Sequence, residues 1–274
     1  MTAANRRLSG IITAGVVLGL ILAIYIAGAL LPESALRADF SQKGLPPSPA
    51  HLFGTDLLGR DMFVRTVKGL SLSLTVGAAA SLCSAVIALI VGAAAALGQG
   101  MIDHAVNWAI DVFMSVPHTV LLILISIALN RGAAGLLIGI ALTHWCGLAR
   151  IVRAEVLQVR SQQYVLAARR FGKSSLWVAR QHVLPHVLPQ FFVGLILMFP
   201  HAIMHESGLT FLGFGMPPEQ PAIGIILSEA MGYLSSGAWW LAFFPGLALV
   251  ILVLLIDKLG STVQGLLAPR QAQL

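Results

Sequence analysis

Two histidines and one glutamate stand close together in an apolar stretch of this chain, where they could bind a metal ion. His201 and His205 are four residues apart, and Glu206 follows directly. Because a helix brings residues four apart onto one face, both imidazoles would point the same way. Neutral imidazole binds nickel, copper, zinc and cobalt, and a nearby carboxylate would add a negative ligand. The spacing therefore predicts a transient site for a divalent transition metal, with His201 and His205 as its ligands.

Two more histidines lie in other apolar stretches, and each has two interpretations. His144 precedes Trp145, and His118 follows Pro117. Ionisable side chains in such stretches are energetically unfavourable and are frequently functional, so both could line the same pathway as the first pair. Alternatively, histidines inside a helix bundle form hydrogen bonds of about 0.6 to 2 kcal/mol that only hold helices together. The sequence leaves packing and metal binding open.

The order of these residues does not fit a catalytic centre. In zinc proteases of the H-E-x-x-H type, the glutamate follows the first histidine and acts as general base, whereas Ala202 follows His201 here. The sequence also has no glycine-rich phosphate loop that ends in Lys and Ser or Thr, so the chain is not expected to hydrolyse ATP by itself. We predict a non-catalytic protein that binds no cofactor of its own.

The elements that carry the histidines are predicted to be membrane spans. Of the 274 residues, 57% are hydrophobic and 10% are charged, whereas soluble domains carry about 25% charged residues. Because a helix needs about 20 apolar residues to cross the bilayer core, the sequence predicts an all-α polytopic membrane protein with about six spans. They cover residues 10–31, 70–97, 106–129, 133–151, 187–213 and 238–258.

The basic residues are distributed unevenly around these spans. With the amino terminus in the cytoplasm, eleven of the 17 Lys and Arg residues fall on the inner side, including Arg6, Arg7 and Arg270. Since positive charge accumulates in cytoplasmic loops, we predict that both termini are cytoplasmic. The net charge of +6 then reflects topology and requires no nucleic acid as partner. The same orientation puts residues 213–237 outside, in a loop whose prolines disfavour a helix.

A basic, helix-forming segment interrupts the spans between Glu155 and Pro189. Within it, apolar residues alternate with Arg and Lys from Gln162 to Gln181, and Gly172 breaks the pattern midway. This pattern predicts a short helix, a turn and a second helix outside the bilayer. The apolar face needs either a protein groove or the membrane surface, on which many basic amphipathic helices lie.

The spacing of certain residues in this segment is characteristic. Ala167 and Ala168 are followed by Gly172, and then by Leu184 and Pro185. This spacing resembles the EAA signature of ABC importer permeases, in which the loop helix docks into a cleft of the ATP-hydrolysing subunit. At residues 166 and 182 this chain has Leu and His in place of the usual Glu and Ile.

Other stretches narrow the resemblance to one family. The run from Tyr164 to Arg169 is similar to the peptide/nickel permease family, in which the acidic residue is commonly missing, and the chain most resembles the second, C-type subunit of nickel permeases. Residues 149–153 and 208–215 resemble the family in the same order. The predicted outer loop does so as well, at Gly54, Asp56, Gly59, Arg60 and Asp61.

The resemblance implies the type I ABC importer permease fold and a transport complex in the bacterial cytoplasmic (inner) membrane. Its other members would be a second permease, expected to be a different chain, two ATPases that bind ATP and Mg²⁺, and an extracytoplasmic solute-binding protein. Residues 1–69 would form the tail, first span and external loop, and residues 70–274 the core permease with a coupling loop at 155–185. The ATPase-coupling residues would be Tyr164, Ala167, Ala168, Arg169, Gly172, Leu184 and Pro185.

The resemblance leaves two substrate classes. Nickel permeases of the family carry histidines at the positions of His201 and His205, and a His-Trp pair like the one at His144. Peptide permeases have apolar residues at the first two positions and an acid at the position of Glu206, which this chain also has. We therefore predict import of nickel or another transition metal, free or chelated, with di- or oligopeptides as the alternative substrate. The predicted pathway residues are His144, His201, His205 and Glu206. A proton-coupled secondary transporter would show inverted repeats, which are not visible in the sequence.

Overall fold

Helices account for nearly all regular structure in the computed structural model, which describes residues 3–98 and 100–267. Within this part of the chain no strand is present, and Thr55 and Asp61 form only an isolated bridge. The α-helices are, in chain order, α1 (Ala3–Leu30), α2 (Met62–Gly98), α3 (Gly100–Ser115), α4 (His118–Ala128), α5 (Gly132–Arg160), α6 (Gln163–Arg170), α7 (Ser175–Val178), α8 (Leu184–Phe211), α9 (Ile223–Met231) and α10 (Trp240–Leu267). The predicted all-α class is confirmed.

Five helical stretches in the described residues are long and apolar enough to cross a membrane. They are α1 from Arg7 onward, α2, α5, α10 and the continuous stretch Ser175–Phe211, and the pair of α3 and α4 makes a sixth if it counts as one bent span. This agrees with the prediction of about six spans. Because α2 begins at Met62, the boundary predicted at residue 69 falls inside this helix.

The third predicted span is broken rather than straight. α3 and α4 meet at an angle of 94°, and the break lies at Val116 and Pro117. Proline cannot continue a helix, because it lacks the N–H donor and its ring clashes with the preceding turn. Pro117 instead caps α4, with φ −53° and ψ 121°. The expectation of one continuous helix over residues 106–129 is therefore wrong, and His118 becomes the first residue of α4.

α2 and α5 form the centre of the bundle, and α8 packs against both. The contact is made by small buried residues, such as Ala88 of α2 and Ala149 of α5. A Cβ atom added to Gly92 would meet the carbonyl oxygen of Ala149 and the side chain of Val152. Small residues of this kind let helix backbones approach closely in a membrane, where packing rather than water drives association.

α1 lies at the edge of the bundle, against α2 and α10. Val17 and Ile21 enter the core, but only 11% of the most apolar part of this helix is buried. Since an apolar helix of this length is suited to the hydrocarbon core, the remaining exposed side chains of α1 fit contact with lipid.

The segment between α7 and α8 joins them without a break. Residues Ala179–Val183 are π-helical, and Pro185 is the second residue of α8, which begins at Leu184. Because proline offers no N–H to the preceding turn, a turn whose hydrogen bonds span five residues accommodates the missing donor. α7, the π-helical turn and α8 are thus one continuous helical element, and the turn at Gly172 separates it from α6.

The second outer loop contains a helix that the sequence analysis did not predict. The prolines at 217, 218 and 221 do exclude a helix over those positions, but α9 begins at Ile223, immediately after the last of them. Ile223 and Ile226 of α9 are buried in the core that α2 and α10 share. The prolines disfavour a helix where they stand, as predicted, but proline is well tolerated just before a helix starts, and α9 follows them.

Candidate metal site and coupling segment

Three histidines from three helices meet inside the bundle. His118 begins α4, His144 lies in α5 and His205 lies in α8. Their ring centroids are 4.5, 4.7 and 5.0 Å apart, and one nitrogen of each ring lies within 4.8 Å of the other two. Three imidazoles at this spacing form a ligand set for a divalent ion such as nickel, cobalt, zinc or copper. We call this group the three-histidine site.

Two of these rings, those of His144 and His118, each have a nitrogen that is available to bind an ion. Nδ1 of His144 lies 3.1 Å from the carbonyl oxygen of Ile140. A carbonyl oxygen only accepts, so Nδ1 carries the proton and Nε2 keeps its lone pair. Nε2 of His118 is buried and has no hydrogen-bond partner among the described residues. Buried polar atoms usually have a partner, and a bound ion would supply one.

A cavity of about 510 Å³ borders the three-histidine site. It is lined by residues 113–118, at the bend between α3 and α4, and by residues of α5 that include Thr143 and His144. A water molecule takes a share of about 30 Å³ in the liquid. The cavity therefore leaves room for the further ligands that an ion held by three imidazoles would carry.

His201 is not part of the three-histidine site. It stands one helical turn before His205 on α8, its side chain is exposed, and the set of mutually close ligand atoms does not include it. The group of mutually close ligand atoms thus combines His205 with two histidines from other helices, and the pairing of His201 with His205 stays a prediction. The sequence analysis noted His118 only as a residue that could approach the same pore, and Pro117 was the available signal for its position.

Glu206 also lies away from the position that was predicted for it. Its side chain is fully buried and accepts hydrogen bonds from Ser73 Oγ at 2.6 Å, Ser207 Oγ at 3.1 Å and Thr210 Oγ1 at 3.2 Å. Adjacent helical residues point about 100° apart, so Glu206 faces α2 while His205 faces α4 and α5. Its carboxylate joins α2 to α8 and is not among the mutually close ligand atoms.

The basic segment has the helix, turn and second helix that its sequence predicted. α6 ends before Gly172, whose φ of 78° lies in the left-handed region, and α7 follows. Val165 and Ala168 are buried against the bundle, whereas Phe171 and Leu176 are 84% and 80% exposed. These two large apolar side chains form an exposed apolar patch, a feature that interaction surfaces often have.

The other predicted coupling residues occupy both faces of this segment. The ring of Tyr164 packs on that of His182, with centroids 5.2 Å apart, and therefore holds α6 against the π-helical turn. Ala168 is buried, and the others, Tyr164 included, are exposed: Ala167, Arg169, Gly172, Leu184 and Pro185. The side chain of Arg153 links α5, the helix before the segment, to α3, because it donates two hydrogen bonds to Asp103 at 2.5 and 2.6 Å. One face of the segment thus packs against the bundle, and the other face is exposed.

The predicted outer loop at residues 54–61 is ordered by one buried carboxylate. Asp56 accepts hydrogen bonds from Arg60 Nε at 2.6 Å and Arg65 Nη1 at 2.7 Å, and Arg65 also binds Glu229 of α9 at 2.9 Å. Asp61 caps α2 through the backbone N–H groups of residues 63 and 64. Gly54 and Gly59 have φ values of 70° and 74°. These residues tie the loop to α2 and α9, and none of them reaches the three-histidine site.

Residues 84–273 match the family model described as "Binding-protein-dependent transport system inner membrane component". The chain belongs to this family. It is 35% identical to the dipeptide transport system permease protein DppC of Bacillus subtilis (strain 168), over 88% of this chain and 75% of that one. It is 32% identical to the nickel transport system permease protein NikC of Escherichia coli (strain K12), over 87% of this chain and 86% of the relative. The resemblance to the peptide/nickel permeases is confirmed.

A solved structure shares the fold. A chain of the MetNI methionine ABC transporter, in an inward-facing conformation, aligns with a TM-score of 0.61 and 20% identity, over 75% of this chain and 97% of that chain. The fold is that of a type I ABC importer permease, as predicted. Membership of the family makes this chain a permease subunit of the inner membrane, which works with a partner permease, ATPase subunits and a binding protein.

Proposed function

We propose that this permease forms half of the pore of an ATP-driven importer for nickel or another divalent transition metal, free or chelated. The observation that carries the proposal is the three-histidine site, in which ligand nitrogens from three separate helices lie within 4.8 Å of one another. A packing role would be satisfied by hydrogen bonds between helices, but Nε2 of His118 has none among the described residues. The relative that is named a nickel permease supports the same substrate class.

Import of di- or oligopeptides is the alternative, and the names of several relatives favour it. A peptide permease needs charged or hydrogen-bonding groups that can bind the termini of its substrate. Glu206, the acid at a position where peptide permeases also have one, is buried and accepts hydrogen bonds from three hydroxyl groups. The three-histidine site offers neutral imidazoles, which suit a metal ion better than a peptide terminus.

The same proposal assigns the coupling to the segment from Gln162 to Gln181, on the cytoplasmic side with both chain termini. ATP and Mg²⁺ would bind to the partner ATPases, whose closure would push on the exposed Phe171 and Leu176. Because α7, which carries Leu176, continues into α8 without a break, this push would tilt the helix that carries His205. Coupling of this kind requires that nucleotide and substrate each favour one of two states.

Uptake measurements on the complete complex test the proposal. Cells that express it should accumulate radioactive Ni²⁺ with ATP, whereas a labelled dipeptide should not compete. His118→Ala, His144→Ala and His205→Ala should each reduce Ni²⁺ uptake at matched expression. His104→Ala is the matched control, because His104 is exposed on α3 and outside the site. Dipeptide uptake together with equal Ni²⁺ accumulation by wild type and all three variants would reject metal import.

A further inference from the structure

We infer that His201 is a second metal station on α8, which takes the ion from the three-histidine site toward the coupling segment. This inference rests on the proposed metal import and gives His201 a role different from that of His205. His201 faces the same side of α8 as His205, and four residues correspond to a rise of about 6 Å along the helix. The two histidines are therefore adjacent positions along the proposed path of the ion.

The surroundings of His201 fit a station that holds an ion briefly. Its side chain is exposed, and in the described part of the chain the ring has no hydrogen bond. His205, in contrast, is half-buried between His118 and His144. One exposed imidazole binds an ion more weakly than three converging ones, so the ion meets a strong site first and a weak site second.

A second, weaker ligand solves a problem that the three-histidine site creates. A pore must bind its ion firmly enough to admit it and loosely enough to release it, and adjacent sites allow both. We expect the metal–nitrogen bonds to His118, His144 and His205 to break as the bond to His201 forms, with water molecules of the pore taking the other positions around the ion. All four imidazoles stay neutral and the charge of the ion does not change, so the step needs no oxidant, reductant or proton.

The position of His201 along α8 sets the direction of this step. α8 continues backward into the π-helical turn and the coupling segment, so His201 is nearer than His205 to that end of the helix. His118 and His144 belong to α4 and α5. A tilt of α8 would move His201 and His205 together relative to the rings of His118 and His144. Because His201 shares this helix with His205, it stays close to the ion during the tilt.

Equilibrium binding and transport rate separate this role from that of an ordinary ligand. Co²⁺ binding to the purified complex is followed by optical absorption, and the initial rate of radioactive Ni²⁺ uptake is measured in proteoliposomes. For His201→Ala we expect an unchanged affinity of the three-histidine site for Co²⁺ and an uptake rate lower by about 10- to 100-fold, the range typical of losing a supporting residue at a metal site. His205→Ala should lose binding and uptake together.

Two further variants complete the test. His201→Cys keeps a metal ligand and should recover most of the uptake rate, whereas His201→Asn keeps a polar side chain and should stay slow. His104→Ala should leave both measurements unchanged. Weaker Co²⁺ binding by His201→Ala, or an uptake rate equal to wild type, overturns the second station and leaves metal import intact. Failure of the wild-type complex to bind Co²⁺ overturns the proposed function and this inference with it.

Discussion

Neighbouring residues of α8 serve different parts of the molecule. His205 points toward α4 and α5, while Glu206 points toward α2 and accepts three hydroxyl hydrogen bonds. Both are ionisable residues inside a predicted span, which would by default suggest function for both. Their surroundings separate them, because His205 joins a group of free ring nitrogens and Glu206 is fully satisfied by its hydroxyl partners. We assign a ligand role to the first and a structural role to the second.

Substitution of Glu206 tests this assignment at the residue scale. Glu206→Ala removes the shared acceptor of Ser73, Ser207 and Thr210, and leaving buried donors unsatisfied lowers the free energy of unfolding by about 1 to 3 kcal/mol. Glu206→Gln keeps an acceptor oxygen and a similar shape, so its loss should be smaller. The thermal stability of the purified complex in detergent measures both. Equal stability of the two variants would contradict the structural role.

The bend between α3 and α4 is the element on which the three-histidine site depends. Pro117 ends one helix direction and starts another at 94°, and only this turn brings His118 to helices that are distant in sequence. A straight span would carry His118 past the site. A helix break at membrane depth is tolerated where the irregular backbone borders a cavity, which is the case here.

Straightening this bend should weaken metal binding. Pro117→Ala restores a backbone donor and removes the ring clash, so α3 and α4 can approach one continuous helix and His118 moves away from its two partners. We expect a Co²⁺ affinity between those of wild type and His118→Ala, measured by optical titration of the complex. Pro49→Ala, in an exposed outer loop, is the matched control. An affinity equal to wild type would show that Pro117 does not position His118.

The turn between α6 and α7 is the element that the coupling hypothesis requires to be stiff. Gly172 has a φ of 78° and open space around the position of a Cβ, so its conformation rather than crowding demands glycine. An L-residue in this region costs roughly 1 to 2 kcal/mol. The strain would be relieved by changing the angle between the two helices.

Replacement of Gly172 by a bulky residue should therefore uncouple transport. Gly172→Val is expected to abolish substrate uptake, because the exposed Phe171 and Leu176 would no longer present one surface to the ATPase. The protein should still reach the membrane, since the substitution lies outside the buried core. Gly15→Val, on α1 with open space around it, provides the control. Undiminished uptake by Gly172→Val, at equal membrane abundance, would refute the coupling role.

At the scale of the whole molecule, the chain has the character of half an assembly. Phe171 and Leu176 of the basic segment are exposed, and the cavity beside the three-histidine site lies at the bend of the broken span. The predicted outer loop and α9 are tied together by Arg65, which is only 4% exposed in its side chain. An ion-paired loop at one end and an exposed apolar surface on the basic segment fit a subunit that partners move from one side.

Expression without its companions tests this dependence. The chain alone should be unstable in the membrane or inactive, because one subunit encloses only half of a pore in this family. Co-expression with the companion permease and ATPases should restore both abundance and ATP-dependent uptake, as followed by quantitative immunoblotting and Ni²⁺ accumulation. Transport by the isolated chain in liposomes would contradict the half-pore architecture.

The sequence by itself determined the properties that depend on local patterns. Hydropathy gave the number of spans, and the spacing of Ala168 and Gly172 gave the helix, turn and helix of the coupling segment. Both features depend on residues that are close in the chain, namely on the spacing of apolar residues and on the residues that form turns. The same local signals predicted His201 and His205 as a pair, since four residues on one helix are always near each other.

Only the tertiary structure decided which ligands meet. His118, His144 and His205 come from three helices, and their contact depends on how α4, α5 and α8 pack and on the direction of the bend at Pro117. A proline signals that a helix breaks, but the angle is set by what the next helix packs against. Likewise, the rotation of α8 in the bundle turned Glu206 toward Ser73 and away from the histidines. Packing between distant segments fixes these choices, and no local pattern contains them.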